Sequence, residues 1–201
     1  MRLTKTELRS QQLRLNQLEK YLPTLQLKKA LLQAEVSIAQ IEIEELKSKY
    51  KVQRELVTAY SVLFSDRGAT DLFPAVKVLQ VKKHMENVAG VDIPIFEKVI
   101  FQESDHFLFD TPVWLDSATA GLRELIVLRE RCRIAEEKKE ALEKELRDVS
   151  IRVNLFEKIL IPRAEANIRK IRIFLGDQQM AAVCQAKVAK QKIQEREEAT
   201  A

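Results

Sequence analysis

Reaction chemistry in this 201-residue chain would have to start from two histidines, two cysteines and one dense run of carboxylates. His84 and His106 have no partner at metal-ligand spacing and read as surface or loop histidines. Cys132 and Cys184 are a single unpatterned pair, each on or beside a helical apolar stripe. Buried or bystander thiols are expected there, not a disulfide or a zinc site. The run EEKKEALEKEL at 136–146 alternates Glu with Lys at i, i+4 distances, which is the pattern of a solvated helix face and not of paired catalytic carboxylates. Neither G-x-x-x-x-G-K nor G-x-G-x-x-G occurs, so no loop is built to cradle a phosphate. Catalysis needs groups that converge, and nothing in this pattern makes them do so. No catalytic residue, cofactor or metal is assigned, and a non-catalytic protein is expected.

The elements that would have to position such groups point the same way. Four glycines and 6% aromatics against 32% charged residues favour long helices over a compact globule, because turns use glycine and deep cores use aromatic side chains. No apolar run approaches the length of a membrane span, and Met1 is followed by alternating polar and apolar residues, so an intracellular chain is expected. The formal charge of +4 is spread unevenly. In residues 1–29 seven Lys and Arg face only Glu7 and Glu19, and in residues 163–192 seven face only Glu165 and Asp177. Two basic ends attract acidic partners, whether nucleic acid, lipid head groups or protein.

Three segments follow from the periodicity: a coiled-coil helix over 4–65, a small α/β module over 66–116 and a second coiled-coil helix over 117–195. Thr4 and Glu7 form a T-x-x-E capping box. From there a seam with alternating gaps of three and four runs from Leu8, Gln11 and Leu15 through Ala39, Ile43 and Leu46 to Val57, Tyr60 and Phe64. It stops at Ser65, Asp66, Arg67 and Gly68, where a glycine can close a helix. At about 1.5 Å per residue such a helix reaches roughly 90 Å. The second seam, capped by Asp116 or Ser117, runs from Leu125 and Leu128 through Leu142, Val149 and Val153 to Ile168, Ile171 and Leu175. Between Phe156, Leu160, Ala164 and Ile168 its gaps are four, four and four, a stutter that locally unwinds a supercoil, and Pro162 lies inside it. Beyond Gly176 the pattern thins into small and polar residues, and EREEATA is expected to fray.

The fold class expected is mainly α, a long antiparallel two-helix coiled coil with the small module at its closed end. The module holds three of the five prolines and β-branched runs such as GVDIPIFEKVIF that read as short strands. VLQVKKHMENV fits a helix or a strand. If Phe64 lies near Leu125, Pro23 comes out beside Pro162. Either the shaft is bent at that level, or each proline is separately tolerated because its N–H is not needed. The first helix also carries a second apolar line, Leu27, Leu31, Ala34, Ile38 and Ile41, about a third of a turn from the seam. It reads either as a thicker core with the opposing helix or as a docking face for a separate protein.

LTKTELRSQQLRLNQLEKYLPTLQLKKALLQAEV, NVAGVDIPIFEKVIF, PVW and RVNLFEKILIPRAEANIRKIRIFLGDQQMAAV together resemble the D subunit of the V/A-type rotary ATPases, in order and over nearly the whole chain. The resemblance implies a central rotor shaft whose paired terminal helices enter a catalytic hexamer of A and B subunits. It also implies a small F subunit bound alongside and a base directed toward the membrane ring through an adaptor, the C subunit. After Leu175 the sequence reads GDQQMAAVCQAKVAKQK, closer to a bacterial branch than to archaeal or eukaryotic relatives. On this reading Arg9, Arg14, Arg169 and Arg172 face the head, Leu31, Ala34, Ile38 and Ile41 face the small stalk partner, and Pro23 and Pro162 bend the shaft. Two other classes use long basic helices. A membrane-remodelling hairpin of the ESCRT-III kind pairs a basic front half with an acidic back half, whereas here residues 1–100 carry 16 Lys and Arg against 12 Asp and Glu and the remainder 18 against 18. A nucleic-acid-binding coiled coil interleaves stacking aromatics with its positive patches, and these ends do not.

Overall fold

The computed structural model describes residues 2–65, 72–102 and 112–200, and the backbone alone of Leu63, Ser65, Phe73 and 197–200. The expected helix stop at Asp66, Arg67 and Gly68, and His106, lie outside the described residues. The elements are α1 (Lys5–Ala59), a 3-10 turn (Ser61–Ser65), α2 (Leu72–Val76), β1 (Val78–Val88), β2 (Val91–Phe101), α3 (Leu115–Leu155), a π-helical turn (Phe156–Leu160) and α4 (Ile161–Thr200). They fall into two compact units, a central one of Lys28–Asp148 and a terminal one of Met1–Leu27 with Val149–Ala201.

In the central unit α1 and α3 run antiparallel. Ion pairs order them: Lys28 with Glu145 at 2.7 Å, Glu42 with Lys138 at 3.0 Å and Lys47 with Glu136 at 2.7 Å. Further along, the Gln53 amide donates to the Gly121 carbonyl at 3.3 Å. Leu32, Ala39, Ile43, Val57, Ala135 and Leu142 are buried between the helices, all of them seam positions. The register differs from the one expected. Phe64 packs on Trp114, ring centroids 6.3 Å apart, in a cluster around Leu72, Leu115 and Ala118, and not near Leu125. The physical reason is that the first turns of α3 carry Ala118, Thr119 and Gly121. Gly121 leaves room for the Tyr60 side chain and Ala118 packs in the cluster that Tyr60 joins, yet such small residues leave no mark in an apolar heptad. The register at this end therefore no longer sets Pro23 beside Pro162.

The middle module is a two-stranded antiparallel hairpin, with VLQVKKHMENV as its first strand. Ala89 and Gly90 both have positive φ, 53° and 79°, as a two-residue type I′ turn requires. Asn87 fastens the turn by accepting the Gly90 N–H at 3.2 Å and donating to Asp92 at 2.7 Å. The module is rooted at the closed end, by Arg123, and from there its hairpin lies lengthwise on the helix pair. Gly90 sits beside the Lys28 ammonium, Phe96 lies 5.0 Å under the Arg131 guanidinium, and Phe101 lies 5.2 Å from that of Arg123. Arg123 also donates twice to the Ala75 carbonyl, at 2.9 and 2.7 Å, tying α2 to the root of the hairpin. Ile93 and Pro94 of β2 are buried, while Leu79, His84 and Met85 of β1 face solvent.

In the terminal unit the Glu7 N–H donates to the Thr4 hydroxyl at 3.3 Å, the cap expected of that motif. Leu18, Val149, Val153, Ala164, Ile168 and Ile171 are buried. The two interior prolines are accommodated differently. At Pro23 α1 stays α-helical and the seam keeps its three-four spacing through Leu18, Leu22 and Leu25. Before Pro162 the chain takes the π turn, in which the Ile161 N–H donates to the Phe156 carbonyl five residues back. Pro162 has no N–H for the Lys158 carbonyl, and its ring crowds that oxygen in an α-helix. A wider turn of roughly 4.4 residues relieves the crowding and absorbs the extra residue. It also explains the four-four-four spacing, because steps of four overrun an α turn but underrun a π turn, so mixing the two keeps Leu160, Ala164 and Ile168 on one face.

Candidate functional site

Among the described residues no three His, Cys, Asp or Glu side chains are placed to hold a metal ion. His84 is exposed on β1 and Cys184 is exposed on α4. Cys132 is half-buried on α3. Burial pushes its thiol above the usual value, the Glu136 charge adds to that, and Lys47 opposes it. A thiol held protonated in this way is a poor nucleophile.

The carboxylates of 136–146 are not merely a solvated face. Among the described residues Lys139 with Glu143, at 3.3 Å, is the only i, i+4 ion pair within that run. Glu136, Glu137 and Glu145 instead reach Lys47 and Lys28 on α1 and Lys83 on β1. The Glu137 carboxylate accepts from Lys83 at 2.9 Å and from Arg133 at 3.4 Å. The Lys83 hydrogen bond, with Arg133 adding to it, holds its carboxyl below the usual range against a smaller opposing effect of burial. The contacts with Lys28, Lys47 and Lys83 join α1, the hairpin and α3, and no sequence pattern announces them because those three lysines lie far from their carboxylates in the chain.

The described residues present a set of uncovered faces. Leu31, Ala34, Ile38 and Ile41 are exposed, Ile38 at 54% and Ile41 at 57%, as is Leu27 at 63%. The opposing helix does not cover this line, so it is not part of a thicker core. In the terminal unit Arg9, Arg14, Arg169 and Arg172 are all exposed. Arg169 and Arg172 border one depression with Leu15, Asn16 and Glu165. Arg14 borders another with Arg163 and Leu160, and Arg9 borders neither. Nothing in the sequence joins Arg163 to Arg14; their meeting depends on the pairing of two helices about 150 residues apart in the chain. α4 runs a few residues past the expected end at 195, to Thr200, with every residue of 177–196 exposed, Met180, Val183, Val188 and Ile193 included.

Paired helices with buried seams, ion pairs between α1 and α3 and bare outer faces define the class of the chain as a long helical hairpin protein. Residues 7–191 match the family of the ATP synthase D subunit. The chain is 45% identical to the V-type ATP synthase D subunit of Chlamydia abortus over 199 residues, covering 98% of this chain and 96% of that one. It is 44% identical to the subunit of the same description from Chlamydia caviae over the same shares, and 40% identical to that from Chlamydia pneumoniae over 96% of this chain and 93% of that one. The chain belongs to the family of ATP synthase D subunits. Neither the ESCRT-III-like hairpin nor the nucleic-acid-binding coiled coil finds support in these matches. No helix among the described residues is long and apolar enough to cross a membrane.

Proposed function

We propose that this chain is the central-stalk rotor subunit of a V/A-type ATPase or ATP synthase, coupling nucleotide chemistry in an A/B hexamer to rotation of a membrane ring and ion transport. The observation that carries this is the family match over residues 7–191 of a chain built on two continuous apolar seams. A rotor shaft is itself non-catalytic. It must resist twisting, and it must present different sides to equivalent catalytic sites so that their relative stabilities change as it turns. Ion pairs from Lys28, Lys47 and Lys138 across α1 and α3 oppose sliding of one helix past the other. A hairpin on one side of that pair breaks its symmetry.

In this reading 4–65 and 117–195 are the shaft helices and 66–116 the module between them. Arg9, Arg14, Arg169 and Arg172 meet the A and B subunits, where charge attracts at a distance without a sticky apolar contact. Leu31, Ala34, Ile38 and Ile41 receive the F subunit of the stalk, whose apolar side would cover a line that the chain leaves bare. The base reaches the membrane ring through its adaptor, the C subunit, so the protein is cytoplasmic and only indirectly membrane-associated. The π turn before Pro162 provides the local unwinding of the shaft, while α1 runs on as α-helix through Pro23. The test is a rotation assay on the assembled complex, with a bead fixed to this chain. ATP-dependent, one-directional turning is expected, and a bead that stays static while the complex hydrolyses ATP contradicts the proposal.

A further inference from the structure

We infer that Arg14 and Arg163 form a two-guanidinium carboxylate site, occupied in the assembled complex by an acidic side chain of the proteins that surround the shaft; that occupant rests on the function proposed above. The two arginines come from α1 and α4 and border one depression of about 210 Å³, whose other walls are Gln11, Leu160 and Ala164. No acidic residue lines it. Gln11 is already engaged, donating its amide to Glu7 at 2.8 Å. Among the described residues neither guanidinium has an ion pair or a hydrogen bond within the chain.

That is unlike the central unit, where Lys28, Lys47, Lys83 and Lys138 each meet a carboxylate within 3.0 Å. The terminal unit holds fifteen Lys and Arg against eight Asp and Glu, so its carboxylates are too few to pair with every cation. A planar guanidinium binds a carboxylate through two parallel N–H bonds, and two of them bordering one depression can share its two oxygens. The floor decides between anions. Leu160 and Ala164 offer apolar surface to the methylenes of a Glu or Asp side chain. Free phosphate sites draw on backbone N–H groups, which helical residues spend internally and which Pro162 lacks altogether.

The site is read on the full-length chain with an oligoglutamate peptide as probe and inorganic phosphate as the competing arm. The double substitution Arg14→Gln with Arg163→Gln should weaken peptide binding about tenfold, and Arg14→Lys with Arg163→Lys less, because charge remains but the fork is lost. Arg54→Gln with Arg129→Gln, an equal charge change in the central unit, should leave binding as it was. Peptide binding unchanged in the double Gln variant, or phosphate held more tightly than peptide by the same two arginines, overturns the site. In the assembled complex the double Gln variant should be released at lower salt than wild type, and release at the same salt overturns the proposed occupant. A wild-type chain that never associates with nucleotide-binding proteins overturns the rotor reading and the occupant with it, while the peptide titration still decides the site.

Discussion

Leu32 and Ile38 sit six residues apart on α1, one with no exposed surface and the other 54% exposed, and substituting them should give opposite results. Leu32→Ala removes three heavy atoms from a fully covered position, which costs about 3–5 kcal/mol as lost transfer energy plus the cavity left behind. Ile38→Asp in the free chain forfeits only the covered part of a side chain worth about 1.5–3 kcal/mol when fully buried, so about 0.7–1.4 kcal/mol. Once a partner covers the line, the same Asp is an unpaired carboxylate in an apolar contact. That costs several kcal/mol and weakens binding by more than about 100-fold. Urea unfolding of each variant and titration with the purified small stalk protein measure both quantities. Ile38→Asp unfolding as readily as Leu32→Ala, or binding the stalk protein like wild type, would refute the reasoning that separates core from docking face.

Three further outcomes follow from single contacts. Ala89→Gly should stabilise the protein by about 1 kcal/mol in urea unfolding, because a left-handed φ of 53° is strained for alanine and not for glycine; an unchanged midpoint would contradict the type I′ turn. Gly121→Leu should drive Tyr60 from its packing on Phe64, 5.9 Å between ring centroids, and destabilise by about 1–3 kcal/mol, with loss of near-ultraviolet dichroism; a neutral result would mean Tyr60 has room to move. Glu137 has a folded value lowered by Lys83, so its pair contributes above the unfolded carboxylate value of about 4.3 and loses that contribution as pH falls through the folded value. Lys83→Ala should therefore cost about 0.5 kcal/mol near neutral pH, small because the pair is largely exposed, and nothing in strong acid; a difference that persists in acid would assign the effect to packing.

The seam was legible because burial of one helix face repeats the same choice every three or four residues, and every seam position from Leu8 to Phe64 is buried or half-buried. The stutter at Phe156 was legible as well, and the structure resolves it into a π turn. The register was not, since Ala118 and Gly121 pack near Tyr60 through their smallness, which an apolar count ignores. VLQVKKHMENV was ambiguous because its apolar residues satisfy both periods, and Ala-Gly is a weaker turn signal than Asn-Gly. Of the surface positions, the apolar line at Leu31 and Ile38 could be seen but not its exposure. The grouping of Arg14 with Arg163 needed the fold.

Affinity purification of the tagged chain from its native source tests the rotor claim most directly. Co-elution of two large nucleotide-binding proteins, with ATP hydrolysis in the eluate, is the predicted result. A chain that elutes alone, or with nucleic acid or lipid in place of those proteins, would contradict it.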